Sequence, residues 1–172
     1  MGRARKKAAV AVSLPGGRSL ELSPGGHNVL QAEIIQIFLP RFAANTTVLY
    51  LGDTDHKIKL IDEPKLTALG VPVSKHDKLP DVVLYDETRN WLFLIEAVTS
   101  HGPVSAKRHV ELEAVLTNAR PGRVYVSAFP SFREFKKYAD VIAWETEVWV
   151  AEFPEHLLHY NGDRFFGPRR SK

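Results

Sequence analysis

The 172 residues suffice for one domain with a sizeable core and are too few for two ordinary ones, and with 44% apolar and 25% charged residues the composition is globular, which excludes a disordered or fibrous chain. Cysteine is absent, which removes disulfides, thiolate nucleophiles and cysteine-based zinc sites and makes a reducing cytoplasm the expected compartment. No apolar run reaches the ~18 residues of a membrane span, and the net charge of +3 is concentrated at the ends, in Arg3, Arg5, Lys6, Lys7, Arg169, Arg170 and Lys172, which permits polyanion binding without requiring it.

Residues 1–27 are rich in Gly, Pro and basic side chains and carry no sustained periodicity, so they read as a basic N-terminal arm; the segment 8–14, cut off by Pro15, is too short for a signal peptide. The domain proper is expected over 28–168, followed by a basic tail at 169–172. Asn28 and Gln31 have the spacing of a helix N-cap and its reciprocal partner, ahead of Leu30, Ile34, Ile37 and Phe38 at helical intervals, with Pro40 as the boundary. The β-branched and apolar run from Thr46 to Leu51 predicts a buried strand that stops at Gly52 and Asp53. A polar stretch follows through Ser74.

Two strands are predicted at 81–85 and 91–98 around the turn-prone Asp86, Glu87, Thr88, Arg89 and Asn90. A second helix starts after Gly102 and Pro103 with Ser105 as its cap and Leu112, Val115 and Ala119 on one stripe, and Pro121-Gly122 ends it. A strand at 124–127, a short basic helix at 131–138 and a strand at 147–152 complete the pattern. The order α, β, β, β, α, β with C-terminal additions predicts an α/β fold with a mixed sheet flanked by helices.

Chemistry concentrates in two carboxylates at the ends of apolar strands, Asp81 and Glu96. If the hairpin closes with Asp86 opposite Trp91, Asp81 stands directly across from Glu96, where Cβ atoms are about 4.5–5.5 Å apart. Two ionised carboxylates that close repel unless a cation lies between them. Magnesium asks a protein for one or two carboxylates and takes its remaining ligands from water and phosphate. The plainer alternative is that Asp81 opens a strand and Glu96 pairs with a basic side chain. Glu33, on the flank of the first helix's apolar stripe, and Asp53, at the end of the first strand, are further candidate metal ligands; an amphipathic-edge acid and a turn residue are their plain readings.

These residues carry a family resemblance. The Pro80-Asp81 and Glu96 pair and the order of elements resemble the PD-(D/E)XK nuclease superfamily. The strings Leu22-Ser23-Pro24-Gly25-Gly26-His27-Asn28, Gly52-Asp53-Thr54, His76-Asp77-Lys78-Leu79-Pro80-Asp81, Ile95-Glu96-Ala97-Val98-Thr99-Ser100-His101-Gly102-Pro103 and Asn161-Gly162-Asp163-Arg164-Phe165 look like the C-terminal catalytic domain of the BsuBI/PstI restriction endonucleases. The resemblance runs from about Leu22 to Gly167 and implies magnesium-dependent cleavage of palindromic double-stranded DNA by a homodimer, alongside a companion methyltransferase. Such enzymes normally carry a further N-terminal domain, which is not expected within this chain. A nuclease subunit or nicking enzyme targeted by a partner, or a DNA-binding module without cleavage, are the rival readings.

The lysine that the superfamily pattern has two residues after the glutamate is here Val98, so the general base is open among His101, Lys107 and Lys78. Arg108, Lys107 and Ser105 at the start of the second helix are candidate phosphate contacts; an ion pair from Arg108 to Glu111 is the alternative. Arg133, Lys136 and Lys137, interleaved with Phe132, Phe135 and Tyr138, are candidate DNA-backbone contacts or the solvated face of an amphipathic helix. His27, His156 and His159 show no metal-ligand spacing.

Overall fold

Strand formation starts earlier than composition suggests. In the computed structural model, which describes residues 8–162, β1 (Val10–Ser13) and β2 (Ser19–Leu22) form an antiparallel hairpin with Val10 opposite Leu22. Val12 and Leu22 are buried in the main core. The expected arm is therefore a packed hairpin over 10–22, whose strands of four residues each are too short to show a sustained alternation beside the Pro-Gly-Gly turn. Residues 1–7 and 163–172, including the basic tail and the Asp163-Arg164-Phe165 part of the last matched string, lie outside the described residues.

The first helix, α1 (Gly26–Glu33), begins two residues before Asn28, with Gly25 in the cap position. Asn28 and Gln31 are inside it and fully buried, and their amides bond Ser23, Asp53, Thr54 and Gly52 rather than each other's backbone. The capping box is thus a tertiary clamp. Pro40 does not end the helix either. A π-turn over Ile34–Phe38 carries the chain into α2 (Leu39–Phe42), with Leu39 N–H donating five residues back to Ile34. Proline offers no N–H and its ring crowds the carbonyl four residues before it, so the widened turn lets the chain continue past it. The extra residue also rotates Ile37 out to solvent while Ile34, Ile35 and Phe38 stay buried.

Next come β3 (Thr47–Asp53), β4 (Lys57–Ile61), α3 (Glu63–Leu69), a 3-10 segment (Val73–Lys78), β5 (Val82–Asp86), β6 (Trp91–Ala97) and α4 (Ala106–Val115). They are followed by β7 (Gly122–Phe129), α5 (Phe132–Lys136), β8 (Thr146–Val150) and β9 (Leu157–Tyr160). The expected order α, β, β, β, α, β is present as α1, β3, β5, β6, α4 and β7, interrupted by β4 and α3 in what reads as a polar stretch. Seven strands form one mixed sheet in the order β4-β3-β5-β6-β7-β8-β9. β5 runs antiparallel to both β3 and β6, and β6, β7 and β8 are mutually parallel, as a helical crossover requires.

One face of the sheet is covered by the β1–β2 hairpin, α1 and α2, the other by α3 and α4. Because both faces are covered, β5 reads as a continuous apolar run. The α3 cap shows how tightly the second layer is set. Gly70 there has φ +85°, and a Cβ would stand 2.1 Å from the Asn118 carbonyl oxygen. Gly70→Ala is expected to cost about 2 kcal/mol or more through backbone strain and this clash, read as a lowered urea midpoint.

Candidate active site

The hairpin register is the expected one: Asp86 faces Trp91 and Val82 faces Ile95. Asp81 and Glu96 are the next residues along, at the end of the sheet where α1 arrives from one face and α4 from the other. Pro80 ends the 3-10 approach and delivers Asp81 to the head of β5. Each acid is gripped separately. Asp81 Oδ2 accepts from the Ala97 N–H at 2.8 Å, and Oδ1 lies 3.2 Å from His27 Nε2. Glu96 Oε1 accepts from Arg108 Nε at 2.7 Å, and the Glu96 side chain is only 12% exposed.

Burial, and then the negative charge of Asp81, push the Glu96 carboxyl up to about 7 against the pull of Arg108. A group whose folded pKa lies above its unfolded value stabilises below the unfolded value and loses that contribution as pH rises. The metal-free protein is therefore expected to lose stability between pH 4.5 and about 7 from this group. Thermal unfolding across that range should show the slope, and Glu96→Gln should remove its share.

His27 is a participant that spacing did not disclose. Its Nδ1 lies 2.8 Å from Thr99 Oγ1, so the ring bridges the start of α1, the head of β5 and the loop after β6. The hydrogen bond to Asp81 raises its pKa, burial opposes, and the charges of Asp81 and Glu96 add to the rise. The signal for His27 lay in the string Leu22–Asn28, a resemblance and not a ligand pattern.

The other candidates divide. Asp53 is a buried linchpin that accepts from Ser23 N–H and Oγ–H, Asn28 Nδ2, and the backbone N–H groups of Asp55 and His56, with His56 Nδ1 at 3.1 Å. Burial alone would raise its pKa, but the bonds from Ser23 and His56 outweigh it and hold the carboxyl well below its usual range. In this structure its oxygens are occupied by these donors, the plain turn-residue role. Glu33 is half-buried, with its pKa raised by burial, and among the described residues it makes no ion pair. Among the described residues no three His, Asp or Glu side chains gather into a metal group.

His101 and Lys107 are exposed, and neither they nor the Lys78 ammonium bond to either acid among the described contacts; Lys78 supplies a carbonyl to Arg108 Nη2 at 3.0 Å. Ser105 caps α4 by accepting from Arg108 N–H. Arg108 meets Glu96 and, at 3.7 Å, Glu111, so the expected phosphate contact is an ion-paired residue here. Val98 is 1% exposed and packs with Phe129, Phe135 and Val148. The missing lysine is thus replaced by core. On α5, Lys137 pairs with Glu134, Lys136 lies over the Phe132 ring, and Arg133 is exposed.

The donor set suits a hard divalent cation. Glu96 is desolvated and its proton affinity is raised further by the charge of Asp81 on the neighbouring strand, and magnesium needs no third acid. Residues 10–163 match the model of the BsuBI/PstI restriction endonuclease domain. The type II restriction enzyme BsuBI of Bacillus subtilis is 45% identical over 95% of this chain and 52% of its own length. The type II restriction enzyme AplI of Arthrospira platensis is 33% identical over 94% of this chain and 52% of its own. The structure of SdaI restriction endonuclease superposes with a TM-score of 0.87 at 40% identity, over 95% of this chain and 52% of that one. The chain spans about half the length of these relatives. With a paired-acid sheet end, a restriction-endonuclease-like fold and a family match across nearly all the described residues, the chain belongs to the BsuBI/PstI restriction endonuclease domain family.

Proposed function

We propose that the chain is the catalytic half of a type II restriction endonuclease that hydrolyses phosphodiester bonds of double-stranded DNA with magnesium held by Asp81 and Glu96. The observation that carries this reading is the pair itself: two acids at one sheet end, each oriented by its own donor, one of them desolvated. When bound, magnesium supplies a Lewis acid for the scissile phosphate and lowers the pKa of water. The chain's residues do the rest. Ala97 N–H and His27 fix the plane of the Asp81 carboxylate, and in the metal-free site Arg108 fixes Glu96. In place of the absent lysine, His27 is the imidazole bonded to the pair, ahead of His101, Lys107 and Lys78, which stand off from it.

The basic residues Lys78 and Lys107 are exposed near the same end, and α5, with Arg133 and Lys136 and followed by Lys137, begins just past the end of β7, level with Ala97. They suit a DNA backbone, which is bound through phosphates and with a strong salt dependence. Cleavage of both strands of a palindrome calls for two such sites related by a two-fold axis, hence a homodimer, and the reading includes a companion methyltransferase in the cytoplasm. Coverage of only 52% of the relatives favours a second reading, in which target choice comes from a segment or partner beyond these residues.

Incubation of mixed-sequence plasmid with magnesium, beside an EDTA control, tests both. Discrete fragments lost with EDTA are the expected result for a self-sufficient enzyme. Metal-dependent nicking without discrete fragments supports partner-dependent targeting, and intact but gel-shifted DNA overturns the nuclease reading in favour of a binding module.

A further inference from the structure

Arg108 holds one of the two carboxylates that an incoming cation would need. Its Nε donates to Glu96 at 2.7 Å, its Nη2 to the Lys78 carbonyl at 3.0 Å, and its Nη1 lies 3.7 Å from Glu111. One guanidinium thus braces β6, the segment leading to Asp81, and its own helix. An ordinary ion pair matches one acid with one base. Here Glu96 also faces Asp81, and among the described residues each acid has one side-chain nitrogen partner, His27 on Asp81 and Arg108 on Glu96. The two partners differ in what they can do when a metal arrives. A guanidinium keeps its charge at every working pH, so Arg108 can yield its place on Glu96 to a cation only by moving.

The surroundings of Arg108 permit that movement. Its side chain is 24% exposed, and Glu111, one turn further along α4 and 51% exposed, is a second carboxylate already within reach. We propose that Arg108 is the resident counter-cation of the metal-free site: it holds Glu96 until a divalent cation enters between Asp81 and Glu96, then withdraws toward Glu111, so that it sets the metal affinity of the pair. This rests on the nuclease reading above. Arg108 acts on the reaction through Glu96 and is a positioning residue. In the metal-free chain it keeps two facing carboxylates compatible; with the site loaded, its positive charge is released at the mouth of the site.

The probe is calcium, which takes the same oxygen ligands as magnesium, titrated calorimetrically into the DNA-free protein at about pH 8.5, above the range in which Glu96 holds its proton. Arg108→Gln is expected to bind calcium about tenfold tighter than wild type, because a unit positive charge beside the cation is gone, and Arg108→Lys, which keeps the charge, to stay within about threefold of wild type. A wild-type measurement removes any dependence on the variants' folding. With arginine labelled in nitrogen-15, the Arg108 Nε–H resonance should shift on calcium addition as its bond to Glu96 breaks. Calcium binding to wild type with an unmoved Arg108 resonance, or with equal or weaker affinity in Arg108→Gln, overturns the proposal and leaves the nuclease reading standing. A wild-type chain that binds no calcium overturns both.

Discussion

Asp81→Asn and Glu96→Gln are each expected to lower the rate of magnesium-dependent DNA cleavage by about 10³-fold or more while leaving the fold intact. The rate loss follows from the chemistry: a metal's contribution to phosphodiester hydrolysis is several kcal/mol, each 1.4 kcal/mol being about tenfold, and a neutral amide does not replace a carboxylate ligand of a hard cation. The intact fold follows from the contacts. Asparagine at 81 still offers an oxygen to the Ala97 N–H, and glutamine at 96 still offers one to Arg108 Nε. Asp81→Asn also removes the charge that adds to the rise of the Glu96 carboxyl, and Glu96→Gln removes a buried acid, so metal-free stability in urea should hold or rise. A variant that loses activity and stability together would mean that the acids are structural and that the catalytic site is elsewhere.

The largest expected loss of stability belongs to Asp53→Ala, at about 3 kcal/mol or more. Removing this buried acceptor strands the Ser23, Asn28, Asp55 and His56 donors together, and unpaired buried donors are what make hydrogen-bond deletions expensive. The pH dependence has the opposite sign to that of Glu96. A carboxyl with a lowered folded pKa stabilises fully above its unfolded value, here 3.8, and that contribution is lost as pH falls below it. Acid unfolding of Asp53→Ala should therefore lack part of the wild-type slope below that pH. Ser23 also leads into the segment carrying His27, so cleavage by this variant should fall along with its stability, unlike the behaviour of the two site variants.

The parts of the site that were legible in the sequence are those fixed by local pattern. A turn-prone stretch between two apolar runs set the β5–β6 register, and register alone brought Asp81 opposite Glu96. What was not legible depends on segments far apart in the chain. His27 meets Asp81 across 54 residues and Thr99 across 72, and no spacing rule reaches that far. Arg108 was marked for an anion, but the anion is Glu96, because α4 crosses back over the face from which Glu96 projects. Among the missed elements, β4 has the sequence Lys57-Ile58-Lys59-Leu60-Ile61 and lies at the sheet edge, where half its side chains meet solvent and polarity hides the strand. The hairpin at 10–22 was hidden by its brevity, and the helix across Pro40 by the π-turn, which no hydrophobic period anticipates.

That both acids sit on one hairpin has a consequence for the order in which the molecule is made. The β5–β6 pair closes over four residues, and hairpins of this kind form in about 1–10 μs. The parallel pairing of β6 with β7 must wait for an entire helical crossover, and Asp81 and Glu96 belong to the part that closes first. The ligand pair is therefore expected to be assembled early, before either the His27 or the Arg108 clamp has docked. On the proposed reading, a divalent cation present during refolding would meet the two carboxylates before the rest of the site exists.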